Sequence, residues 1–124
     1  MDYPERDDLL QEVTLKLITA YGFVIKALQQ LPLPIEIPAM VDPYLSIDLE
    51  ATLVRALALL SDIPMDDAHR DHVRGLVIDW MTAADYLFEA EQAFEWWKVE
   101  FITTQLQRVT TRWSRILDLH GNQD

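Results

Sequence analysis

The sequence predicts an all-α protein, a helical bundle of three to four helices, and three observations predict it. Proline falls only at positions 4, 32, 34, 38, 43 and 64, and proline cannot donate an interior helical hydrogen bond, so the helices lie between these sites. Within the intervals the apolar residues recur every three or four positions, the period of one helix face. From Asp66 to His120 there is no proline and a single glycine, Gly75.

The first helix is expected over about 4–30. Pro4 suits a first turn, and Glu5, Asp7 and Asp8 complement the positive end of the helix dipole. Leu9, Leu10, Val13, Leu17, Tyr21, Val24, Ile25 and Leu28 form its stripe. Gly22 within it suggests close contact with a neighbouring helix. Residues 31–44, LPLPIEIPAMVDPY, carry four prolines and take an extended path. Leu33, Ile35, Ile37, Met40 and Val41 are too apolar for a free linker, so the segment reads as a strap along the helices. The second helix spans about 46–60, with Ser46 as N-cap, Asp48 and Glu50 in the first turn, and Leu49, Leu53, Leu57 and Leu60 on one face. Asp66 or Asp67 caps the next element.

The remainder admits two architectures. A helix over 66–90 and another over 92–119 would close a four-helix bundle, with a break near Glu89–Phe94. An unbroken helix of about 80 Å would instead need a partner, such as a second copy of the chain. Glu-Ala-Glu-Gln-Ala are strong helix formers and favour continuity, whereas ordinary helix lengths favour the break. The apolar stripe through Trp80, Leu87, Phe94, Trp97 and Phe101 is expected in the core, with His120-Gly121 as the stop.

At 124 residues, half of them hydrophobic, the chain has the size of one helical domain with one core. No apolar run approaches the roughly 20 residues of a membrane span. The start Met1-Asp2-Tyr3-Pro4-Glu5 lacks a secretory pattern, so a cytoplasmic location is expected. There is no cysteine, which excludes thiol redox chemistry and thiolate metal sites. With 21 acids against 10 bases the net charge is −11, which repels nucleic-acid phosphates and anionic membranes and suits a basic partner.

Few residue sets suggest chemistry. Asp66, His69, Asp71 and His72 have helical spacing near a helix start, but exposed rings are the simpler expectation, and no metal or other cofactor is predicted. No nucleophile triad or phosphate loop is present, and three glycines are few for a phosphate cradle. A non-enzymatic protein is therefore expected. Asp85, Glu89, Glu91 and Glu95 lie in a stretch, from Gly75 to Trp97, with no Lys or Arg. Trp96 and Trp97 point about 100° apart on a helix, so if Trp97 is core, Trp96 reaches the flank or the surface. These acids with Trp96 make the candidate partner-binding surface. Its partner would be a basic protein, as for immunity, antitoxin or anti-defence proteins, an analogy of physical logic alone. The alternative is a structural subunit of a nucleoprotein complex. There Arg108, Arg112 and Arg115, a basic stripe that also complements a helix C-terminus, would contact nucleic acid within the assembly.

Overall fold

The computed structural model describes the backbone of residues 3–39 and 46–121 and the side chains of 5–39 and 46–119. It is an all-α bundle of four helices: α1 (Tyr3–Gln29), α2 (Ile47–Leu60), α3 (Asp67–Gln92) and α4 (Trp96–Gly121). No strand occurs among the described residues. None of the described helices is long and apolar enough to cross a membrane.

Local chemistry accounts for the boundaries. The Ser46 hydroxyl accepts from the Leu49 N–H at 3.1 Å and caps α2. Asp66 occupies the corresponding position before α3, but its side chain makes no capping bond. The turn between α2 and α3 is held instead by Arg70. Its guanidinium donates to the carbonyls of Leu60 at 3.3 Å and Ile63 at 2.6 Å, and pairs with Asp67 at 2.8 Å. Gly121 lies within the last turn of α4, and no described glycine has positive φ, so the left-handed stop expected there is not formed.

The break between α3 and α4 falls at residues 93–95. Ala93 leaves helical geometry (φ −143°, ψ 89°) while its N–H still bonds the Glu89 carbonyl at 2.9 Å. Lys98 Nζ donates to the Ala93 carbonyl at 2.8 Å and ties the new helix to the turn. Helix propensity loses here because folding back buries an apolar face on each side. Leu76, Trp80, Ala83, Ala84, Leu87 and Ala90 of α3 and Ile102, Val109 and Ile116 of α4 are all fully buried. Each large side chain so covered contributes about 1.5–3 kcal/mol, against a few tenths per residue of propensity. The closed hairpin also removes the need for a partner that an 80 Å helix would have imposed.

Contacts along the helices fix their directions. Tyr86 meets Phe101, and Asp79 meets Arg112, so α3 and α4 are antiparallel. Arg70 and Arg74 reach back to Leu60 and Ser61, while Asp85 shares a recess with Glu50, so α2 is also antiparallel to α3. Leu9 lies near Val99 and Phe23 stacks on Trp113, so α1 runs parallel to α4. It follows that α1 and α2 are parallel, and the chain must return the length of the bundle between them. The described part of the proline-rich strap, residues 31–39, begins that return. The Ile35 N–H bonds the Leu28 carbonyl at 3.0 Å and the Tyr21 hydroxyl donates to the Pro38 carbonyl at 2.6 Å, so the strap descends along α1. Leu31 is buried and Ile35 and Ile37 pack against the core, but Leu33 is exposed. Met40 and Val41 lie outside the described residues.

Trp80 is the largest fully buried side chain; its indole N–H donates to the Leu17 carbonyl at 3.0 Å, and its ring centre lies 4.9 Å from that of Tyr21. Burial pushes the Tyr21 phenol pKa up from its ordinary value of 10.0. Gly22 is not a close-approach position, because a Cβ there would meet nothing within 4 Å. Gly75 is one: a Cβ at Gly75 would overlap the Arg112 guanidinium, which lies across this point of α3.

Candidate functional site

The helix directions place the starts of α1, α2 and α4 and the end of α3 at one end of the bundle. Large apolar side chains are left uncovered there. Trp96 is 59% exposed, Phe88 51%, Trp97 44% and Ile47 84%. Several large apolar side chains exposed at one end of a bundle suit a contact site. Trp97 was expected in the core and is not. It stands in the first turn of α4 and stays half-exposed. Phe94 and Phe101 are half-buried, so the stripe closes only from Val99 onward.

The acids predicted as partner-binding share this end. Asp85, Glu89, Glu91 and Glu95 are all exposed. Glu95 accepts a hydrogen bond from the Trp97 indole N–H, which orients that ring across the start of α4. Lys98, the first cation after Arg74, is already engaged by the Ala93 carbonyl and lies 5.8 Å from the Trp97 ring centre. Carboxylates in the first turns of α1 and α2, and Glu95 just before α4, complement those helix dipoles. Glu89 and Glu91 do not, since they lie near the C-terminus of α3, whose last turn carries no base.

The arginine stripe sits some 18 Å along α4 from Trp96 and has a different setting. Arg112 Nε donates to Asp79 Oδ2 at 3.1 Å, and Arg108 Nε approaches the same oxygen at 3.5 Å. Asp79 is 8% exposed. Two of the three guanidiniums therefore converge on one buried carboxylate of α3, while Arg115 has no ion pair among the described residues. Sequence reasoning missed Asp79, although an acid among Leu76, Val77, Trp80 and Ala83, all buried, was a signal that some base must meet it.

The histidines also differ from expectation. His69 is buried at 5% exposure and His72 is half-buried, because α3 packs its first turns beneath the α2–α3 turn and α4. Among the described residues no group of His, Asp and Glu could hold a metal ion. A groove of about 720 Å³ between α1 and α4 is lined by Leu15, Thr19, Phe23, Leu106 and Thr110 and contains no acid or histidine. No protein-family model matches the chain, and no match was found among curated proteins or solved structures.

Proposed function

We propose that this chain is a non-enzymatic binding protein whose acidic, aromatic bundle end engages a basic protein. The observation that carries the reading is the coincidence of exposed Phe88, Trp96 and Trp97 with Glu89, Glu91 and Glu95 on one hairpin end. Carboxylates steer a basic surface and form charge-assisted hydrogen bonds with Lys and Arg. Aromatic side chains supply the desolvated contact that slows dissociation. Glu89 and Glu91 favour a role beyond folding, because their position at the α3 C-terminus runs against the helix dipole. The partner fits the class of basic, nucleic-acid-binding proteins that an inhibitor, immunity protein or antitoxin covers, and such a protein would act in the cytoplasm.

The test is affinity capture from the source cells with the wild-type chain and a Glu89→Lys/Glu95→Lys/Trp96→Ala variant in parallel. A basic protein enriched by the wild type and lost from the variant supports the reading. Equal recovery on both contradicts it. The alternative, a nucleoprotein-complex subunit contacting nucleic acid through Arg108, Arg112 and Arg115, has less support. Tracking a strand needs cations spread along a groove, whereas two of these converge on Asp79.

A further inference from the structure

Away from the acidic end, and independently of partner binding, the geometry points to a second site: we infer that the recess between the first half of α3 and the second half of α4 binds a phosphate oxyanion, free or carried by a small molecule. The recess has a volume of about 440 Å³ and is lined by His72, Thr104, Arg108, Thr111, Arg112 and Arg115. In a chain of net charge −11, three cations line this recess, and only two of them, Arg108 and Arg112, pair with an acid, the shared Asp79.

The donors are held ready. Arg112 uses its Nε on Asp79, and its two terminal nitrogens make no hydrogen bond among the described residues. Its guanidinium is seated where only a glycine leaves room, at Gly75, so its position is set by both helices. Thr103 and Thr110 turn their hydroxyls back to the carbonyls of Val99 and Leu106, at 2.9 and 3.1 Å. Thr104 and Thr111, one position on, make no such bond and border the recess, seven residues apart on one face of α4. The Nδ1 atom of His72 is buried with no hydrogen-bond partner among the described residues.

Several guanidiniums and two hydroxyls offer more donors than a planar carboxylate can accept. A tetrahedral phosphate, with more oxygens and up to two charges, matches them better. The volume lies within the range of small-molecule sites and leaves space for an organic group beside the phosphate.

The test uses the full chain and nuclear magnetic resonance titration with inorganic phosphate, with phenyl phosphate as a simple phosphomonoester, and with sodium chloride at matched ionic strength. Saturable shifts of the Arg112 and Arg115 Nε–H signals and the Thr111 amide, absent with chloride, support the site. Tighter binding of phenyl phosphate assigns a phosphorylated organic ligand, and equal binding assigns free phosphate. Arg115→Ala and Thr111→Val should each raise Kd at least fivefold with unchanged helical dichroism, while Arg55→Ala on α2 leaves it unchanged. Arg112 is left intact because its loss would also strip Asp79. Non-saturating shifts reproduced by chloride would overturn the inference. So would a Kd unmoved by Arg115→Ala and Thr111→Val, or tighter binding of an oligodeoxythymidine without terminal phosphates. None of these failures bears on partner binding at the acidic end, which uses none of these residues.

Discussion

Asp79 is buried and holds two guanidiniums, whereas Asp85, about 9 Å further along the same helix, faces solvent with no ion pair among the described residues. The tryptophans repeat the contrast. Trp80 is fully buried and its indole is bonded to Leu17, while Trp96 at the hairpin end is 59% exposed. The residue types are the same at both places, and the difference is what lies opposite them. In its first half and middle α3 faces α2, α1 and the far part of α4, so every polar group there needs a partner. At its end the neighbours are the starts of α1, α2 and α4, and the helices run out. The lesson is that one hairpin can have a closed half that carries stability and an open half that leaves side chains exposed.

The largest expected effect separates the two tryptophans. Trp80→Ala should cost about 3–5 kcal/mol, mainly from the packing and cavity left in the core. Trp96→Ala should stay within about 0.5 kcal/mol of wild type. Urea unfolding of both variants checks this, and a comparable loss in Trp96→Ala would erase the distinction. Next come the two aspartates. Asp79→Ala should cost about 1–3 kcal/mol, moderated by the partial exposure of the arginines it frees. Asp85→Ala should leave the urea midpoint unchanged. If both cost the same, Asp79 is not an anchor.

The two helical glycines give a smaller effect with a clear sign. Gly22→Ala fills open space and should gain about 0.8–1 kcal/mol of helix propensity. Gly75→Ala carries the same propensity gain but must displace the Arg112 guanidinium from its seat, so its thermal midpoint should rise less than that of Gly22→Ala or fall. The smallest stability effect concerns the open end. Glu89→Lys removes an acid from the C-terminal part of α3 and should stabilise by about 0.3–1 kcal/mol while weakening partner binding. A variant that is more stable and binds less well is the signature of a residue kept for contact. Loss of stability in Glu89→Lys would assign Glu89 a structural role instead.

Much of this was legible in the residues themselves. Prolines 32, 34, 38 and 64 and the Ser46 cap placed the helices to within a few positions, because proline and an N-cap hydroxyl act locally. The hairpin break was harder to place, since Ala90-Glu91-Gln92 looks like helix to its end and the turn is set by tertiary burial. Periodicity aligned Trp97 with Trp80 but could not say that it stays half-exposed, because coverage depends on how the neighbouring helices pack. The Asp79 pairings join residues 33 apart in sequence and require the register of α3 on α4. The parallel course of α1 and α2 likewise followed only from contacts, although the apolar, proline-rich strap already implied a packed return path. Asp85, Glu89, Glu91, Glu95 and Trp96 were chosen by charge and spacing, and all five are exposed; the candidate surface gains Phe88, Trp97 and Ile47, whose exposure the sequence did not reveal.

The most direct test of the central claim is the association kinetics of the captured partner, measured with the wild type, Glu89→Lys/Glu95→Lys and Trp96→Ala across a range of salt. If the acidic end steers and the aromatic end holds, charge reversal should lower the association rate at least tenfold at low salt, added salt should narrow that gap, and Trp96→Ala should mainly speed dissociation. Association and dissociation rates indistinguishable from wild type in both variants would contradict it.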